Sequence, residues 1–191
     1  MTPSARDLLH ASKRELMELL RSGHDIDPAA LHDTEYKGTS LGLPRWVERL
    51  TWKKFKKTFH HDPSRNVLRG WNVRLEQNAL DEPCVPRLKH GTPVTFGHYQ
   101  VVSPAQFRIP EGCDHGLLIH YGLGGNGRLD PMTRVRDPLV ALEAGDTRLL
   151  LGWSYVDIGW CLGTPSFFTL EYDGPLARVV EAPLSMATVQ C

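Results

Sequence analysis

Apolar residues recur at helical spacing in the first part of the chain and at period two from about residue 67 onward, and this change of period divides the sequence. Leu8, Leu9, Leu16, Leu19 and Leu20 share one face of a helix expected from about Ser4 to Ser22, while Lys13, Arg14, Glu15, Glu18 and Arg21 fall mostly elsewhere. Ser4 with Asp7 three residues later supplies a cap, and Gly23 a stop. A second helix is expected to begin with Pro44 at its first position and to run through Trp46, Val47, Leu50, Trp52, Phe55 and Phe59, ending before Asp62-Pro63.

Strands follow. Val67, Arg69, Trp71, Val73 and Leu75 lie on one face of the first, and Val94, Phe96, His98, Gln100 and Val102 on one face of the second. Further strands are expected at Leu117 to Leu123, Thr147 to Trp160 and Phe167 to Tyr172, with short ones near Leu139 to Leu142 and Ala177 to Glu181. The fourth places Leu149, Leu151, Trp153, Tyr155 and Asp157 together. Asn78 to Pro93 and Ser103 to Gly116, rich in Pro and Gly, read as long loops. The pattern predicts an α+β fold. One curved antiparallel sheet closes into a barrel or half-barrel, because no helices remain to cover a second face, and two N-terminal helices pack against it. A single domain is expected, with 1–62 helical and 63–191 barrel-like.

Composition narrows the function. The 191 residues carry 22 Lys+Arg against 22 Asp+Glu, a net charge of zero, which argues against a dedicated nucleic-acid binder because such proteins need a basic excess. No apolar run is long enough for a membrane-spanning helix, and the first residues carry no apolar stretch of a signal peptide, so a cytoplasmic protein is expected. Cys84, Cys113, Cys161 and Cys191 form no C-x-x-C pair, and neither a disulfide framework nor a metal site is expected. Gly122-Leu123-Gly124-Gly125-Asn126-Gly127 matches G-x-G-x-x-G, but Pro131 stands where a phosphate-binding helix would start, so the segment reads as a loop and no cofactor is implied. Lys53-Lys54-Phe55-Lys56-Lys57 reads as the solvated face of the second helix, and replacing these lysines is expected to leave folding nearly unchanged.

The candidate chemistry lies on the strands. His98 and Asp157 each fall on the more apolar face of a strand, where an unpaired carboxylate is costly and an imidazole can move protons. If that face is the interior, His98 and Asp157 meet in one cavity with Trp71 and Tyr155. Arg69, Trp71, Phe96, Trp153 and Tyr155 then form a ligand-binding wall, joined by His120 from the neighbouring strand. Three readings follow. The first is a small-molecule binding protein that encloses an apolar or aromatic ligand. The second is a cofactor-independent cyclase, isomerase or lyase in which His98 transfers a proton and His120 or Asp157 orients it. An interaction module using the basic aromatic helix is the third.

Tyr36-Lys37-Gly38-Thr39-Ser40-Leu41-Gly42, Leu50-Thr51-Trp52-Lys53-Lys54-Phe55, Arg136-Asp137-Pro138-Leu139-Val140, Leu149-Leu150-Leu151-Gly152 and Phe167-Phe168-Thr169-Leu170-Glu171 occur in an order that resembles the bacterial GXWXG-type proteins, which are small lipocalin-like domains. Thr39-Ser40-Leu41 stands between the two glycines where that family has a tryptophan. The resemblance implies a calycin-like barrel and transfers no catalytic residue.

Overall fold

The computed structural model describes residues 3–41 and 53–186. Two short helices come first, α1 (Ala5–Leu8) and α2 (Lys13–Arg21). The single helix expected over Ser4 to Ser22 is thus broken. Ser12 and Glu15 form a second capping box, reciprocating hydrogen bonds as Ser4 and Asp7 do, and the chain restarts its helix there.

Eight strands form a closed antiparallel barrel: β1 (Thr34–Leu41), β2 (Lys54–Asp62), β3 (Val67–Arg74), β6 (Thr95–Val102), β7 (Leu117–His120), β8 (Val135–Glu143), β9 (Asp146–Asp157) and β10 (Cys161–Pro175). A small separate hairpin, β4 (Leu88–Lys89) with β5 (Thr92–Pro93), lies within the expected 78–93 loop. Strand neighbours follow chain order, and β1 closes the ring by pairing with β10. This up-and-down arrangement leaves no open edge. Among the described residues no helix is long and apolar enough to cross a membrane.

Three expectations are corrected. Lys54 to Phe59 is strand, not helix; Phe55, Lys57 and Phe59 point inward at period two, paired with Gly38, Tyr36 and Thr34 of β1. The rest of that expected helix, Pro44 to Trp52, lies outside the described residues. Leu117 to Leu123 is strand only to His120, after which Tyr121–Leu123 forms a 3₁₀ turn. Ala177 to Glu181 forms no strand; it crosses the outside of the barrel, where Arg69 donates to the Val180 carbonyl at 2.8 Å.

The barrel has two buried surfaces. Inside, Tyr36, Phe59, Leu68, Tyr99, Ile119, Leu139, Leu150 and Phe168 pack together, with Ile26 and Leu31 from the segment after α2 closing one end. Gly38, Gly70 and Gly152 lack side chains where the rings of Phe55, Tyr99 and Phe168 cross. Outside, Leu8, Leu16 and Leu20 of the two helices cover Leu118, Val140, Leu151, Trp153, Tyr155 and Phe167. Apolar side chains therefore mark both faces of β9. The rule that the more apolar face is the interior fails here, because helices and loops bury the outer wall.

Candidate functional site

The end of the barrel opposite Ile26 and Leu31 holds a cavity of about 300 Å³. Its lining comes from the later residues of β1, β3 and β9, the earlier residues of β2, β6, β8 and β10, and the 3₁₀ turns that hold Tyr121 and Met132. Phe55, Phe96, Met132, Val135 and Phe168 supply the apolar wall, and Ser40, Ser154, Thr164 and Ser166 lie among them. A larger depression of about 570 Å³ beside the two helices lies open on the surface, where exposed Asp7, His10 and Glu18 mix with Pro3, Leu8, Ala11 and Leu19, so the more enclosed and more apolar barrel interior is the candidate site.

Lys57, Asn72, Tyr121 and Asp137 form the polar part of that cavity. Alternation along β2 sends Lys57 inward between Phe55 and Phe59, and alternation along β8 does the same for Asp137 between Val135 and Leu139. The Lys57 and Asp137 side chains are both 2% exposed. The Lys57 ammonium donates to Tyr121 Oη at 2.5 Å, Asn72 Oδ1 at 3.0 Å and Asp137 Oδ2 at 3.4 Å. Those three acceptors match its three hydrogens. Tyr121 in turn donates to Asp137 Oδ2 at 2.9 Å. The rings of Phe55, Tyr99, Tyr121 and Phe168 surround the ammonium at 5.0 to 5.6 Å from their centroids, a cage that favours the cation.

Burial pushes the Lys57 amine below its ordinary value, and the Asp137 carboxylate opposes that shift. Burial, reinforced by Asp137, holds the Tyr121 phenol well above its usual range, so it stays a neutral hydroxyl. Asp137 Oδ1 is buried and has no hydrogen-bond partner among the described residues.

Asn72 joins this cluster to the barrel wall. Its amide donates to the Gly97 carbonyl at 3.0 Å, at a bulge where Gly97 and His98 together oppose Trp71. Gly97 takes a left-handed conformation there, φ 51°, which glycine adopts without strain. The bulge resets the alternation of β6. Phe96 faces the cavity beside Asn72, whereas His98 points outward and Tyr99 inward.

Of the eight residues singled out from the sequence, Phe96 alone lines the cavity. His98 lies on the outer wall near Trp71, their ring centroids 6.1 Å apart, and Arg69 stacks over Trp71 at 5.6 Å. Trp153 and Tyr155 belong to the outer cluster beneath the helices, where Trp153 donates to the Thr164 carbonyl and Tyr155 to that of Arg108. His120 pairs across the strands with Arg136 and packs on Phe107 at 4.7 Å, and Asp157 is near enough for its charge to act on both His120 and Arg136. His98, Trp71, Tyr155 and Asp157 thus do not share the barrel cavity. The physical reason is the covered outer wall, together with the bulge at Gly97.

The glycine-rich segment has a structural task on that same outer wall. Gly124 approaches the His98 backbone so closely that a side chain would meet its carbonyl oxygen. Asn126 accepts from His98 N–H at 2.9 Å and donates to the His98 carbonyl at 2.7 Å. Cys113, buried under the helices, has its thiol pushed up to about 11 by burial, which makes it unreactive.

Sequence reasoning missed Lys57, Asn72, Tyr121 and Asp137. A signal was present: Lys57 alternates with Phe55 and Phe59, and Asp137 with Val135 and Leu139, so a charge interrupts each apolar face.

No protein-family model matches the chain, and no curated protein matches it. What defines the molecule is an eight-stranded antiparallel barrel with a caged lysine–aspartate pair at an interior cavity.

Proposed function

We propose that the protein binds a small, largely apolar or aromatic molecule within the barrel, against the Lys57–Asp137 pair. The observation that carries this reading is the cavity itself, which has aromatic walls and one polar cluster, Lys57, Asn72, Tyr121 and Asp137, whose members are fixed to one another. A closed barrel of eight strands has an interior wide enough for one small ligand. The likeness to GXWXG-type lipocalin-like domains belongs to this proposal and agrees with it.

Acid–base catalysis is the second reading, favoured by the unpaired Asp137 oxygen in the cavity wall. It would give Asp137 and Tyr121 the roles first sought in His98, His120 and Asp157.

Native mass spectrometry of the purified protein before and after solvent extraction, followed by titration with bicyclic aromatic probes, tests the binding reading. One molecule should bind per chain, and Ser166→Phe, which fills the cavity from β10, should weaken binding at least about tenfold. Probe binding that ignores Ser166→Phe would place the ligand elsewhere and reject the reading. A bound molecule converted to product by the native chain but not by Asp137→Asn would decide for catalysis.

A further inference from the structure

We infer that the ligand of the barrel cavity is a neutral aromatic or alicyclic molecule bearing a hydroxyl or N–H group, which donates a hydrogen bond to Asp137 Oδ1. The inference rests on the proposed reading of the cavity as a ligand site and adds the chemistry of the ligand's polar group.

Three observations lead there. Asp137 lines the cavity at 1% exposure, and its two oxygens are unequal: Oδ2 accepts from Tyr121 and Lys57, while Oδ1 accepts from no group among the described residues. A carboxylate oxygen buried without a donor is costly, and a ligand that supplies the donor recovers that cost on binding.

The cations and donors nearby are already committed. Lys57 directs its three hydrogens to Tyr121, Asn72 and Asp137, and the Tyr121 hydroxyl gives its one hydrogen to Asp137. An anionic ligand would therefore find no free donor among these groups and would face the carboxylate. A cationic ligand would face Lys57 across an apolar space, where like charges repel strongly. Lys57 and Asp137 together are neutral, so a neutral ligand fits the electrostatics and a donor group fits the unpaired oxygen.

The rest of the lining sets the body of the ligand. Phe55, Phe96 and Phe168 offer ring faces and edges, Met132 an adaptable thioether, and together they suit one or two fused rings. Discrimination follows the rule that a site with a buried polar group rejects an analogue lacking the partner far more strongly than it rejects a change of size.

Calorimetric titration with 2-naphthol, 2-methoxynaphthalene and 2-naphthoate at neutral pH tests this on the intact chain. The three share one ring system and differ in donor and charge. The native protein should bind 2-naphthol at least about tenfold more tightly than either of the others. The paired variant Lys57→Met with Asp137→Leu, which replaces the ion pair by apolar groups and can retain the fold, should lose that preference. Circular dichroism establishes that this variant is folded, and the comparison within the native protein stands without it. Equal affinity for 2-naphthol and 2-methoxynaphthalene would overturn the inference and leave the cavity reading intact. Tightest binding of 2-naphthoate would overturn it in favour of Lys57 as an anion anchor. Failure of all three to bind would overturn the cavity reading and the inference with it.

Discussion

Lys57 and the two strand histidines are buried bases with opposite fates. Lys57 has an acid, an amide, a phenol and four rings around it, so its charge is compensated. For His98 and His120 the opposing charges, Glu181 and Asp157, do not offset burial. Burial, with Arg69 acting on His98 and Arg136 on His120, lowers each from the ordinary 6.5 to about 4, and the Nδ1 of each has no partner among the described residues. Between those values the unfolded chain takes up protons that the folded chain refuses. Stability should be complete above about pH 6.5, fall as pH drops toward 4, and receive no further change from these groups below that. The loss is on the order of 2–3 kcal/mol per histidine. Urea unfolding across this range should show the slope, and substituting both histidines by Gln should remove most of it. A flat profile in the native protein would mean that the imidazoles are not buried in neutral form. The sequence did reveal both histidines as buried strand residues; it concealed which side of the wall they occupy.

β2 is the element for which the sequence misled most. Trp52, Phe55 and Phe59, three and four residues apart, imitate a helical stripe, and the lysines between them imitate its solvated face. Pairing with β1 and β3 makes the segment a strand instead, and each lysine then has a separate fate. Lys53 is exposed. Lys54 donates to the carbonyls of Ala79 and Glu82 at 2.7 and 3.1 Å, so it pins the β3–β4 connection. Lys56 lies 2.6 Å from Glu35 and 3.0 Å from Asp173, neutralising a site where Lys37 stands directly opposite. Lys57 enters the barrel. The expectation that all four could become Gln without effect is therefore reversed. Lys53→Gln alone should change stability by less than about 0.5 kcal/mol, whereas the fourfold variant should lose at least about 3 kcal/mol, chiefly because Asp137 would be left as an uncompensated buried charge. Chemical denaturation measures both, and a fourfold variant as stable as the native chain would show that Lys57 is not paired within the fold. By contrast β3, β6 and β9 were legible because their period-two runs are long and bounded by Gly and Pro. β1 was not, since Lys37, Gly38, Thr39 and Ser40 offer little apolar alternation.

At the scale of the whole molecule, closure of one antiparallel sheet was legible from the count of strands and the shortage of helices. The inside was not. In an ordinary barrel with a wet exterior, apolar side chains mark the interior face, but here α1, α2 and the segments at 103–116 and 176–186 bury much of the outer wall. The wall is consequently sandwiched between two apolar clusters. Its ionisable positions fall on both sides as well: Arg69, His98, His120 and Arg136 lie outward, and Lys57 with Asp137 lies inward. The bulge at Gly97 adds a local reversal that periodicity cannot reveal, and it brings Phe96 and Asn72 to the cavity. The central claim is that this inner side, and not the outer wall, receives the ligand. Intermolecular nuclear Overhauser effects between 2-naphthol and isotopically labelled methyl groups measure it most directly. The account predicts contacts to Met132 and Val135, which line the cavity. Contacts confined to methyl groups of Leu16, Leu20 and Leu151 in the outer cluster would contradict it.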